Sequence, residues 1–573
     1  MSLESLANEL LFDIFEYCRA FQVLQSFSNL NNRFNDLISK HFRKHRLDFT
    51  QSSKKDFDRI CQHDLPHFTD DIISIGLSDD DDTPGEIDLF RSFGLTLDRF
   101  RNLRSVTFNR IRSGDKLCGI LLECQQIIHL NLTACYFEHS IEDLLNSIWS
   151  LPNLIFCYLN LVFKSDFQTL RIPKQYSVSI KHLTIIGVSF DLDRMSSFCE
   201  HTPQLEYLAI DVTPKVFEEE ISTPIESICR LNLSIINTQS NTIANLLRNL
   251  PNLVELKIDS CYLDLNGYEW ENLIRKYLPK LKEFQLKMKF QIRNQNEMKQ
   301  LRKSFQTPFW IEERQWLVQF HFNLDDQSNM IHLYTLPFNF TTIHLYFPVQ
   351  IQPDENHSNS FDQVQRLFYR CSLQTDETMT TNFYFPNLTH LNVTLPYNQN
   401  LLLLIQQSNY LTSLDVSKPN DMSNQQSFEQ LQQIIDHTND LQSLKFSSWS
   451  DDVGILTPVR IRTRQIKRVH LYGYNRWFND QDCFELAQST LGQCCQILFI
   501  KVQNRSSIIQ LIKSMSNLRS LICQVKDKDD HWQYNSTCIT DSFIQRLCED
   551  LDGNHSIERD QRYKHSIRIW IHS

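Results

Sequence analysis

One short phrase that keeps returning constrains this chain more than any other feature. LPNLVELKIDSCYL, residues 250–263, opens with a Pro-x-Leu turn and places apolar side chains at Leu253, Leu256 and Ile258. The turn recurs in LPNLIFCYL from Leu151, TPQLEYLAI from Thr202, LPKLKEFQL from Leu278 and FPNLTHLNV from Phe385. Without the proline, the pattern apolar-xx-apolar-x-apolar is anchored at Leu103, Ile127, Leu154, Ile180, Leu205, Ile228, Leu253 and Leu281, at intervals of 23 to 28 residues. It continues at Leu388, Leu411, Leu441, Ile466, Cys495 and Leu518, at intervals of 23 to 30. Chance triplets in a 41% apolar chain would not share both the turn and the spacing. The length of 573 residues exceeds one compact core, so the chain needs several domains or one long array.

In each phrase the last two apolar positions flank an exposed one, which is the alternation of a half-buried strand. Between phrases lie segments of helical spacing, such as Ile141, Leu144, Leu145, Ile148 and Trp149. A unit of about 25 residues cannot bury its apolar face alone, and stacked neighbours build a continuous core. The period and the pattern resemble leucine-rich repeats. Two units, from His129 and from Glu255, place Cys135 and Cys261 three residues after the last strand position, as in the cysteine-containing branch of that family. Other units put Val188, Ile236, Tyr474 or Pro396 there, so the array is degenerate. The resemblance implies an α/β fold over 67–573: a curved solenoid with short parallel strands inside and helices outside. It is least regular at 285–385, where triplets fall at Leu317, Phe340 and Val364.

Residues 1–45 follow another period. Leu6, Leu10, Ile14 and Cys18 form a helical stripe widened by Leu11 and Phe15. A second stripe holds Phe21, Leu24, Phe27 and Leu30, and a third begins at Phe34, Leu37 and Ile38 after a break at Asn31-Asn32. Three helices of this size carry more apolar surface than they can bury, which points to a partner. The pattern resembles an F-box, a helical module that docks on the Skp-type adaptor of a Skp–cullin–F-box ubiquitin ligase. That family commonly opens Leu-Pro, and here Ala7 stands in the proline position. The resemblance assigns adaptor contact to Leu6, Leu10, Leu11, Ile14 and Phe15, with Leu24 and Phe27 shared between core and interface. Leu24, Leu30 and Phe34 read better as core. Residues 46–66 read as a linker.

Charge and composition bound the rest. The net charge of −11 disfavours nucleic acid as a partner. No apolar run nears the roughly 20 residues of a membrane span, and the start MSLESLANEL lacks the early basic residues of a signal peptide. The expected location is therefore the cytoplasm or nucleus, with the 16 cysteines as reduced, small apolar residues.

No catalytic, cofactor or metal motif stands out. His41 and His45 lack the Glu of HExxH and read as a solvated basic helix end. Cys61, His63 and His67 read as a surface loop. The acidic run in SDDDDTPGE reads as a solvated turn.

The function the resemblances imply is a non-catalytic substrate receptor for ubiquitination and degradation. Its F-box would bind a Skp-type adaptor and through it cullin, and its repeats would bind an unknown protein target. The alternative is a repeat scaffold outside any ligase. Target contact is expected on the strand face, at the position between the last two anchors. These positions include Asn131, Asn232, Lys257, Gln285, Asn392, Asp415, Lys445 and His470, with Thr184 and Ala209 equivalent.

Overall fold

The computed structural model describes residues 3–138, 141–164, 169–212, 223–292, 294–323, 330–347, 349–351, 361–371, 383–408, 410–451, 456–526, 541–551, 555–560, 562–563 and 565–572. Two large sheets of mostly parallel strands are joined by helices in an α/β fold. The chain divides into two compact units. One holds Met1–Asp211 with Arg519–Ile522 and Trp532–Ser573; the other holds Val212–Leu518 and Cys523–His531.

The recurring phrase is the start of a strand each time. In the first unit Ser105–Asn109, His129–Phe137, Phe156–Phe163 and His182–Phe190 begin two residues after Leu103, Ile127, Leu154 and Ile180. In the second unit Arg230–Ile236, Glu255–Cys261, Glu283–Gln291, His390–Thr394, Ser413–Ser417, Ser443–Ser448, Arg468–His470 and Ile497–Val502 keep that offset from their anchors. All fourteen anchors are at most 2% exposed, so the turn leading into each strand is pinned by one buried side chain. Full burial of such a residue contributes roughly 1.5–3 kcal/mol. Register follows from the alternation, with Ser105 opposite His129, His129 opposite Phe156 and Phe156 opposite His182.

The second half of the strand is equally constrained. Gly187 sits at φ 85°, and a Cβ there would lie 2.0 Å from the Leu161 carbonyl oxygen. Cys135 is fully buried, its thiol pushed up to about 12 by burial, while Cys261 is half-buried. Burial raises the Cys261 thiol as well.

The irregular stretch contains a change of strand direction. Met330–Thr335 pairs antiparallel with both Glu283–Gln291 and Val318–Asn323. Parallel pairing is present again at Thr342–Phe347 and Arg366–Cys371, two residues after Phe340 and Val364. Aromatic packing fills this region, with Tyr334 and Phe338 rings 4.8 Å apart and Phe338 and Phe361 rings 5.5 Å apart.

At the N-terminus three helices, Asn8–Tyr17, Ala20–Phe27 and Asn32–Phe42, pack together. The Asn31 side chain caps the third by accepting from the Phe34 amide at 3.1 Å. Arg33 ties that helix to the chain start, donating to Asn8 Oδ1 and to the carbonyls of Glu4 and Leu6.

Residues 46–66, expected as a linker, are built into the unit. Leu47–Asp48 pairs in parallel with Ser74–Ser78, and the helix Lys54–Arg59 follows. Phe49, Phe57, Ile60, Cys61 and Leu65 are buried, with the Phe49 ring packed 4.9 Å from Phe57 and 6.5 Å from Phe90. Cys61 is accordingly not on a surface loop.

The chain does not end as a parallel repeat. Ser556–Arg559 and Ser566–Trp570 form an antiparallel pair, and the Trp570 ring packs 5.2 Å from Phe57.

Candidate functional site

The N-terminal helices sort the seven candidate adaptor residues into two sets. Leu11, Phe15 and Leu24 are completely buried. Phe15 packs its ring 4.9 Å from Phe27, which stacks in turn 5.7 Å from Phe34. These residues hold the helices together and do not reach a partner. Leu10 is 50% exposed, and Leu6, Ile14 and Phe27 are half-buried. Leu3, in the short turn Leu3–Ser5 before the helix, and Tyr17, the last residue of the helix, are both exposed. Leu30, read from sequence as core, is 56% exposed. It neighbours Asn31, whose amide donates to Glu4 at 3.1 Å, so Leu30 lies by the start of the stripe. The surface left unpaired is therefore Leu3, Leu6, Leu10, Ile14, Tyr17 and Leu30. Leu3 and Tyr17 were missed because they lie just outside the helix, or at its last residue, where pattern alone does not distinguish a frayed end from a surface.

The strand-face candidates fall into rows. Asn131 stands between Thr107 and Tyr158 and accepts from the Thr133 hydroxyl at 2.8 Å. Beside it, His129, Phe156 and His182 stack face to face at 4.5 and 4.4 Å. Thr184 is half-buried next to Tyr158, and Ala209 is buried.

In the second unit Asn232, Lys257 and Gln285 make one row, and Asn392, Asp415, Lys445 and His470 make another. Lys257 is already engaged. Its ammonium donates to the Asn339 carbonyl and sits 4.6 Å over the Phe340 ring. Burial holds its pKa below the ordinary lysine value. Lys257 thus fixes the segment before Thr342 and does not face a partner freely. Asp415 accepts from Lys445 at 2.7 Å and from the Ser447 hydroxyl. His470 stacks on Phe499 at 4.5 Å.

A third group of polar residues was misjudged from sequence. Asp80, Asp81, Asp82 and Thr83 are each at most 8% exposed, not solvated. Asp80 Oδ1 accepts from the amides of Asp82 and Thr83, folding the run into a tight turn. Arg112 donates to Asp81 at 2.6 Å and lies 3.4 Å from Asp560. Arg568, fully buried, donates to Asp79 at 3.0 Å, to the carbonyls of Asp79 and Asp80, and to Glu558. Burial works against the Arg568 charge, but the surrounding carboxylates outweigh it and raise its pKa. Burial pushes the Glu558 carboxyl up to about 7 and raises Asp560 and Glu86 as well. Asp79, Asp81, Glu558 and Asp560 each face Arg112 or Arg568, so the arrangement is an internal clasp between the run at 79–82 and the strands near the C-terminus.

The histidines expected at a solvated helix end also behave otherwise. His41 is 3% exposed and stacks on His45 at 4.2 Å; burial and that neighbour bring its pKa down to about 4. Among the described residues no three His, Cys, Asp or Glu side chains are grouped to hold a metal ion, and no helix is long and apolar enough to cross a membrane.

No protein-family model matches this chain, and no curated protein is similar to it.

Proposed function

We propose that this chain is the target-recognition subunit of a Skp–cullin–F-box ubiquitin ligase, in which a leucine-rich-repeat solenoid carries the target. The observation that carries the reading is the helix Asn8–Tyr17, which leaves Leu10 and Tyr17 exposed and Ile14 half-buried beside a face, Leu11 and Phe15, that is fully buried, with exposed Leu3 and half-buried Leu6 in the segment just before it. A helix that has satisfied its own core and still presents leucines suits helix-in-groove docking on an adaptor. The repeat reading is supported by strands that begin two residues after a buried anchor every 23 to 30 residues, with helices between many of them. In this scheme catalysis is proximity: a target lysine is held near a ubiquitin thioester carried by another subunit.

The test is co-purification with a Skp-type adaptor, for the wild-type chain and for Leu10→Asp combined with Ile14→Asp. The wild type retains the adaptor and the double variant loses it, with the chain still folded by circular dichroism. Absence of adaptor from the wild-type chain overturns the ligase reading and leaves a repeat scaffold.

A further inference from the structure

One strand face in the second unit opposes the charge of the whole chain. The chain carries a net charge of −11. On the parallel strands from Thr342–Phe347 through Arg468–His470, the alternate positions that are not buried hold four cations, Arg366, Arg370, Lys445 and Arg468, against one carboxylate, Asp415. That carboxylate is already taken by Lys445 at 2.7 Å. Arg366 and Arg370 are both exposed, and among the described residues neither has a carboxylate partner. Phe368 lies between them on the same strand, stacked 4.4 Å from His344, so the two guanidiniums flank an apolar floor. His390, next to Arg366 in register, is held below the ordinary histidine value by burial and by the Arg366 charge.

We propose that this face binds an extended acidic peptide segment of the protein target. It rests on reading the strand face as the target face, and it does not depend on the adaptor. Arg366 and Arg370 are four residues apart on a strand, a separation of about 13 Å. Acids four residues apart in an extended peptide span the same distance, with the Phe368–His344 rings beneath the residues between. A nucleic acid fits less well, because the chain is net negative and a phosphate backbone carries more negative charges past the cationic face than a short peptide does.

The test is fluorescence anisotropy of the full chain with three labelled probes: a short peptide alternating Glu and Ser, its Gln counterpart, and a single-stranded oligonucleotide. Binding of the Glu peptide is expected at about 50 mM salt and is weakened at higher salt. Arg366→Glu with Arg370→Glu weakens it at least about fivefold, without a change in melting temperature. Lys55→Glu, exposed on the helix Lys54–Arg59, leaves it unchanged. Failure to bind the Glu peptide, equal binding of the Gln peptide, tighter binding of the oligonucleotide, or indifference to the double reversal overturns the proposal. Adaptor retention, measured on the same samples, reports separately on the ligase reading.

Discussion

Arg568 shows how much depends on single side chains. Its guanidinium is fully buried between Asp79 and Glu558, so Arg568→Met leaves two largely buried carboxylates without their cation. The expected cost is about 3–5 kcal/mol in chemical denaturation, far beyond the loss from an exposed pair such as Lys116–Asp88. Glu558 adds a pH dependence. Burial raises its carboxyl from 4.5 to about 7, so between those values the folded chain keeps a proton that the unfolded chain has released. Stability from this group is therefore lost as pH rises through that window. Denaturation midpoints of Glu558→Gln, measured on both sides of the window, should lack that share of the loss. Gly187 is a backbone counterpart: Gly187→Ala meets the Leu161 oxygen and forces φ 85° on a Cβ residue. A loss of more than about 1 kcal/mol is expected, and a neutral result would mean the strand backbone relaxes.

At the scale of elements, strand positions were legible in the sequence because one buried anchor pins each turn. The offset of two residues holds for Phe340 and Val364 inside the least regular stretch but not for Leu317, which is half-buried one residue before Val318–Asn323. Met330–Thr335 was not legible, since antiparallel and parallel strands share the same alternation and only pairing tells them apart. The first helix was legible as a stripe, but its two sides were not separated. Both Leu10 and Leu11 match the pattern, yet Leu10 is half exposed and Leu11 fully buried. Leu11→Ala should cost about 2–5 kcal/mol and Leu10→Ala under about 0.5 kcal/mol, read from thermal or denaturant unfolding. Ala7 precedes this helix at φ −64° and ψ 154°, the conformation proline prefers. Ala7→Pro should therefore raise stability by about 0.4–1 kcal/mol.

At the scale of the whole molecule, residues from both ends of the sequence build one compact unit. Arg568 reaches Asp79 across 489 positions, and Ser520 Oγ donates to the Asp81 carbonyl at 2.6 Å. No local pattern could reveal this, because an acidic run reads as a solvated turn until its distant cations are known. The candidate surfaces were legible only as residue types: sequence placed Lys257 and Asp415 on strand faces, but not the contacts with Phe340 and Lys445 that occupy them.

The proposed ligase role requires the N-terminal apolar surface to be a docking surface. The measurement that bears on it most directly is the stoichiometry of the full chain mixed with purified Skp-type adaptor, by size exclusion with light scattering. A one-to-one complex that Leu3→Asp with Leu10→Asp abolishes, at unchanged melting temperature, is the predicted result. A wild-type chain that elutes apart from the adaptor would contradict the account.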